Sequence, residues 1–125
     1  MISLFFIVKI YSEDRPWGRS EKFHENKKST VKLIYITPNQ RLSLQYHKHR
    51  NEFWRIISGT AEVEIDGQIV SVKEGDDLSI ASESQHRIKA LSNGCTVLEI
   101  SYGHFDEDDI VRIEDDFNRI DPSTS

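Results

Sequence analysis

Three observations predict an all-β fold, a small barrel or a two-sheet sandwich. Short runs rich in β-branched and aromatic residues recur at about 8–12 residues, turn-forming residues separate them, and no long stretch before Asp106 keeps a helical period. A chain of 125 residues suffices for one domain with a sizeable core. That single domain is expected to span residues 1–125, its core at about residues 15–119 and a polar end at 120–125 that frays.

In chain order, the apolar start MISLFFIV reads as a strand. No basic region precedes it, no small-residue cleavage site follows, and it falls short of the ~18 residues of a membrane span. Further strands are expected at Thr30–Thr37, Ser43–Lys48, Phe53–Ser58, Ala61–Ile65, Gln68–Val72, Asp77–Ile80, His86–Ala90 and Thr96–Ser101. Turns fall at Pro38-Asn39, Gly59, Asp66-Gly67, Gly75 and Ser92-Asn93-Gly94. Asp66-Gly67 is a strong hairpin signal, because a type I′ turn needs positive φ at both central residues. After Asp106 a short helix or an irregular tail is expected.

The formal net charge is −5, from 16 basic and 21 acidic residues. The segment from His104 to Asp116 holds seven of the acids and one of the bases, which leaves 14 acids against 15 bases elsewhere. The mild acidity argues against nucleic-acid backbone binding as the main role, since such modules usually carry a clustered basic excess. Cys95 is the only cysteine. It rules out an internal disulfide framework or a cysteine-cluster zinc site and fits a reducing, cytoplasmic setting, with packing as its expected role.

The densest chemistry lies in NQRLSLQYHKHRNEFWRIISG, residues 39–59. In an extended strand Gln45, His47 and His49 point to one face, and Glu52 follows a short turn. Two imidazoles, a carboxylate and an amide oxygen suit Zn²⁺, Fe²⁺, Mn²⁺ or Co²⁺ better than a soft copper site. A further ligand must arrive from another strand, and His86, downstream of Gly75, is the candidate. Without such partners an HxH pair is usually just two solvent-facing histidines.

The spacing resembles the first cupin motif: Gly, five residues, HxH, three or four residues, Glu, six residues, Gly. Taking His47 and His49 as the pair puts Glu52 too early. Shifted by two, Asn39 stands at the first Gly, Gln45 and His47 form the pair, four residues lead to Glu52, and six more reach Gly59. The second motif fits from Gly75 to His86, with Ala81 where Pro is usual, Glu83 where Gly is usual and Ala90 where Asn is usual. These departures are expected to weaken the turn geometry without removing a ligand. The resemblance thus implies a cupin double-stranded β-helix with Gln45, His47, Glu52 and His86 as metal ligands.

More specifically, the chain resembles the type II phosphomannose isomerase (mannose-6-phosphate isomerase) domain, often fused behind a mannose-1-phosphate guanylyltransferase. The matching segments are RPWG at Arg15–Gly18, VKLIYITP at Val31–Pro38, RLSLQYHKHRNEFW at Arg41–Trp54, SGTAEV at Ser58–Val63, His86-Arg87 and EDDIVRIEDDFNR at Glu107–Arg119. The resemblance implies interconversion of mannose 6-phosphate and fructose 6-phosphate through a cis-enediol, with one divalent ion, Zn²⁺ first among the candidates. A stand-alone domain of this kind is not expected to carry guanylyltransferase activity, although a separate guanylyltransferase can serve the same pathway.

That reaction needs a base, an electrophile and a phosphate anchor. Arg50 and Arg112 are favoured for phosphate or sugar-oxygen contacts, and Lys32 and Arg41 can add charge at the same mouth. His49 and Glu99 compete for the role of base: His49 can titrate near neutrality, and an inward Glu99 would have its pKa raised by burial. Trp17 and Trp54 are expected to pack in the core or at its rim. Expected partners are a small sugar phosphate and, from exposed sheet edges, a second copy in a homodimer, with no nucleic acid and no membrane. The alternatives are a sugar-binding or regulatory cupin without catalysis, and a cupin of other chemistry such as a dioxygenase or nucleotide-sugar epimerase.

Overall fold

The fold was obtained as a computed structural model that describes residues 8–120. The expected strand in MISLFFIV lies outside the described residues except for Val8, as does the end expected to fray from Asp121 onward. Among the described residues there are nine strands and no helix, so none long and apolar enough to cross a membrane. A hairpin of β1 (Tyr11–Arg15) and β2 (Gly18–Lys22) precedes a seven-stranded antiparallel sheet. Its strands are β3 (Ser29–Ile36), β4 (Leu44–Tyr46), β5 (Asn51–Ile65), β6 (Gln68–Lys73), β7 (Asp77–Ile80), β8 (His86–Tyr102) and β9 (Val111–Glu114).

Strands β5 and β8 organise the rest. Each runs through both halves of the fold, and their pairing shifts register at Ile56/Ser58 and Gly59/Ala61. On one side of this corner β7 and β3 flank the β5–β8 pair; on the other β6 and β4 do, with β9 beyond β4. Gly59 makes the corner possible. Its φ is +83°, and a Cβ there would collide with the carbonyl oxygen of Gly94 on the facing strand. The expected breaks at Gly59 and at Ser92-Asn93-Gly94 are therefore bends inside continuous strands.

The two halves enclose a core of Trp54, Ile56, Ala61, Val63, Ile65, Leu78, Ile80, Ile88, Ala90 and Val97, with Cys95 packed among them as expected. The residues alternate along each strand, as a sheet buried on one face requires. The hairpin between β5 and β6 has positive φ at both Asp66 and Gly67, as the turn signal implied.

The motif departures keep their turns. Asn39 and Glu83, each standing where a glycine is usual, adopt φ of +64° and +69°. The backbone is thus held left-handed without glycine, contrary to the expected weakening. For Glu83 this costs about 1–2 kcal/mol.

Among the described residues no helix follows Asp106. Asp106 accepts the amide of Asp109 on its carbonyl and that of Asp108 on its carboxylate. This local bonding competes with a helix. The β-branched run that follows then pairs with the open edge of β4, joining Tyr46 to Val111 and Gln45 to Arg112.

Candidate metal centre

Three elements deliver the site. His47 follows the last residue of β4, Glu52 is the second residue of β5, and His86 opens β8. Their side chains are 4%, 1% and 1% exposed, and one donor atom from each lies within 4.8 Å of the others. Glu52 Oε2 is 3.5 Å from His47 Nε2, and Glu52 Oε1 is 3.8 Å from His86 Nε2. Gln45 faces His86 directly across the β4–β8 ladder, and residues so paired share a face of the sheet.

The hydrogen bonds fix the protons. His47 Nδ1 lies 2.7 Å from the Asp109 carbonyl and His86 Nδ1 lies 2.8 Å from the Ser84 carbonyl. A carbonyl only accepts, so each Nδ1 carries the hydrogen and each Nε2 presents a lone pair to the cluster. Burial holds both imidazoles below their usual pKa, against the opposing pull of Glu52, so both are neutral near pH 7. Among the described residues, buried His86 Nε2 has no hydrogen-bond partner.

Two nitrogen lone pairs and a carboxylate thus converge, with the Arg50 guanidinium donating to His47 Nε2 and to Glu52 from one side. A cation resolves that arrangement, and the separations are close to the ~3.3 Å between ligands sharing a tetrahedral Zn²⁺. The residues fit a divalent ion: His47, Glu52 and His86 can hold it, with Gln45 on the same face. Trp54 Nε1 and Ser101 Oγ donate to Glu52 at 3.1 and 3.5 Å and orient its carboxylate.

Arg50 is 8% exposed and lies inside this cluster. Its Nε donates to Glu52 Oε2 at 3.0 Å, Nη2 to His47 Nε2 at 3.3 Å and Nη1 to the Asp106 carbonyl at 3.2 Å, while its guanidinium stacks 4.5 Å from the Phe105 ring centre. With these partners Arg50 is not a free cation at the mouth. Arg112 differs: it pairs in register with Gln45, and its buried Nε has no hydrogen-bond partner among the described residues. Lys32 holds its Nζ 4.6 Å over the same Phe105 ring and 3.4 Å from Glu107.

Glu99 is 7% exposed, on the inner face of β8 opposite Lys32 and Trp54. Burial and then the charge of Glu52 push its pKa up to about 7, against Lys32 and Arg50. Two expected residues stand elsewhere. His49 is exposed, because β4 ends at Tyr46 and residues 48 and 49 bend, which ends the alternation that would have put it on the ligand face. Arg41 bridges to Lys89 on the outer face and is bound bidentately by Asp116. Trp54 is core, whereas Trp17 is 74% exposed in the turn between β1 and β2.

The sequence reading did not find Phe105, Ser101 or Asp109. Asp109 carries no spacing signal, since it acts through a carbonyl 62 positions from His47.

Comparison with known proteins shows the family of the chain. A family described as Mannose-6-phosphate isomerase C-terminal matches residues 8–115. The chain belongs to this family. A "Putative mannose-1-phosphate guanylyltransferase" of Vibrio cholerae is 36% identical over 103 residues, covering 81% of this chain and 22% of that protein. The chain spans only 22–24% of the length of the curated relatives it matches. Among solved structures, oxalate decarboxylase from Bacillus subtilis superposes with a TM-score of 0.64 at 28% identity, over 70% of this chain and 24% of that one. A cupin protein from Bacteroides fragilis gives 0.56 at 26% identity, over 62% and 70%. This member of the Mannose-6-phosphate isomerase C-terminal family is therefore an all-β, cupin-type domain.

Proposed function

We propose that the chain is a metal-dependent aldose–ketose isomerase that interconverts mannose 6-phosphate and fructose 6-phosphate. The observation that carries this reading is the common interior of the metal-ligand set and Glu99, joined through Trp54. A carboxyl group that titrates near neutrality suits a general base.

In this reading the Glu99 carboxylate takes the proton from C2 of the aldose. The C–H electron pair forms the C1–C2 double bond as the carbonyl oxygen gains a proton. The protonated Glu99 then returns its proton to C1 while the C2 hydroxyl loses its own and C2 becomes the ketone. A bound divalent ion, with Zn²⁺ the first choice, supplies the electrophile for the developing oxyanion. Arg112 anchors the phosphate with Lys32 in support, because its unpartnered buried Nε calls for an anion. Arg50 holds Glu52 and His47 in place. The reading places the protein in the cytoplasm. The outer face of β3, with Val31, Leu33 and Tyr35 more than half exposed, supports a homodimer that size-exclusion chromatography tests.

The test is a coupled isomerase assay before and after chelation, with metal analysis. We expect about one divalent ion per chain, activity lost on chelation and restored on reloading, and both lost in Glu52→Ala and His86→Ala. Turnover that survives chelation overturns the metal reading. A loaded protein that binds hexose 6-phosphate without converting it is instead a sugar-binding module.

A further inference from the structure

His47 is held differently from the other ligands. Glu52 and His86 sit within long strands, where ladder hydrogen bonds fix the backbone, whereas His47 lies in the bend after β4. A ligand outside regular structure needs another brace, and one residue supplies most of it. Asp109 accepts the His47 Nδ1 hydrogen on its carbonyl at 2.7 Å. Its carboxylate accepts the next two amides, Lys48 at 2.8 Å and His49 at 3.0 Å. The pairing of Tyr46 with Val111 brings Asp109 to this position.

We infer that Asp109 is the positioning residue that orients His47 toward the metal and fixes its tautomer. The inference rests on the metal reading above. The carboxylate ties the 47–49 bend to the acidic segment, and the tie keeps the Asp109 carbonyl within reach of the ring. The hydrogen on Nδ1 leaves the Nε2 lone pair directed at the cluster, where it accepts from Arg50 Nη2 and can turn to a metal, and a carbonyl acceptor on the far nitrogen raises ligand basicity. A mixed tautomer would leave part of the population with a hydrogen where the metal belongs. The acidic segment thereby becomes part of the metal centre without contributing a ligand.

The test titrates Co²⁺ into the metal-free 125-residue chain, with a competing chelator to set the affinity and visible absorption to report the ligand field. Asp109→Ala is expected to bind Co²⁺ about 10–100-fold more weakly. Asp109→Asn, which keeps one acceptor, should lose less, and Asp108→Ala, exposed one position earlier, should match the wild type. In the metal-free protein, nitrogen NMR should show His47 as the Nδ1–H form in the wild type and a mixture in Asp109→Ala. Should Asp109→Ala fail to fold, Asp109→Asn with the tautomer readout decides. Wild-type affinity together with an unmixed tautomer in the Asp109 variants overturns the inference, as does an equal loss in Asp108→Ala. A wild type that takes up no Co²⁺ overturns the metal reading as well, so the two failures are distinct.

Discussion

Arg50 donates from Nε to Glu52 Oε2 at 3.0 Å, with the two side chains 7% and 1% exposed. This pair keeps a fully buried carboxylate neutralised in the metal-free protein. Removing one partner of a buried pair costs about 3–5 kcal/mol. Arg50→Ala should therefore destabilise the metal-free protein by roughly that amount, and less once a divalent ion supplies the missing positive charge. Denaturant unfolding with and without metal measures the difference. Arg50→Lys should rescue it only in part, since an ammonium cannot reproduce the planar fork that reaches Glu52, His47 and Asp106.

Glu99 gives a pH dependence with a definite sign. Its folded pKa of about 7 lies above the ordinary 4.5. Between these values the folded protein keeps a proton that the unfolded chain releases, so this group's contribution to stability falls as pH rises through that window. His47 and His86 act oppositely, since their lowered pKa values weaken the fold as pH falls and the unfolded chain gains protons. Comparison with Glu99→Gln isolates the glutamate. In metal-free protein the variant should gain roughly 2–3 kcal/mol relative to wild type between pH 5 and 7.5. It should also keep its metal while turnover drops about 10²–10⁴-fold.

Arg112 should divide binding from chemistry. A charge-assisted hydrogen bond contributes about 1.5–3 kcal/mol. Arg112→Ala is expected to raise KM for the sugar phosphate by about 10–100-fold, with metal content unchanged and inorganic phosphate a weaker competitor. Steady-state kinetics with metal analysis checks this. An unchanged KM would assign the buried Nε a structural role.

Glu83→Gly should stabilise the protein. At φ of +69° glutamate carries a steric cost that glycine does not, and the exposed side chain makes no hydrogen bond that would be lost among the described residues. A gain of about 1 kcal/mol is expected in chemical unfolding. The amide of Glu83 donates to the His47 carbonyl at 2.6 Å, a bond that glycine retains, so metal affinity should not change.

Much of the architecture was legible because alternating β-branched runs mark strands. The expected Asp77–Ile80 strand matches β7 at both ends. Phe53–Ser58 and Ala61–Ile65 fused into β5 because Gly59 bends the ladder without ending it. The β1–β2 hairpin went unseen: YSEDR and GRSEK are polar and largely exposed, so they show no apolar alternation. Motif spacing pointed to His47, Glu52 and His86, which lie together at the centre. It misplaced His49 because the end of β4 depends on the bend braced by Asp109, and it could not show that Arg50 turns inward to Glu52.

The long pairing of β5 with β8 also bears on time. It joins Asn51 to Tyr102 and Ile65 to His86, so distant parts of the chain must meet before the centre exists. Folds dominated by such non-local pairings form slowly, in about milliseconds to seconds. His47 and Glu52 are near neighbours in sequence, but His86 reaches them only when this ladder closes. Metal capture by the full set is thus a late event in refolding. The rise of the Co²⁺ spectrum after dilution from denaturant should lag the first recovery of β-structure.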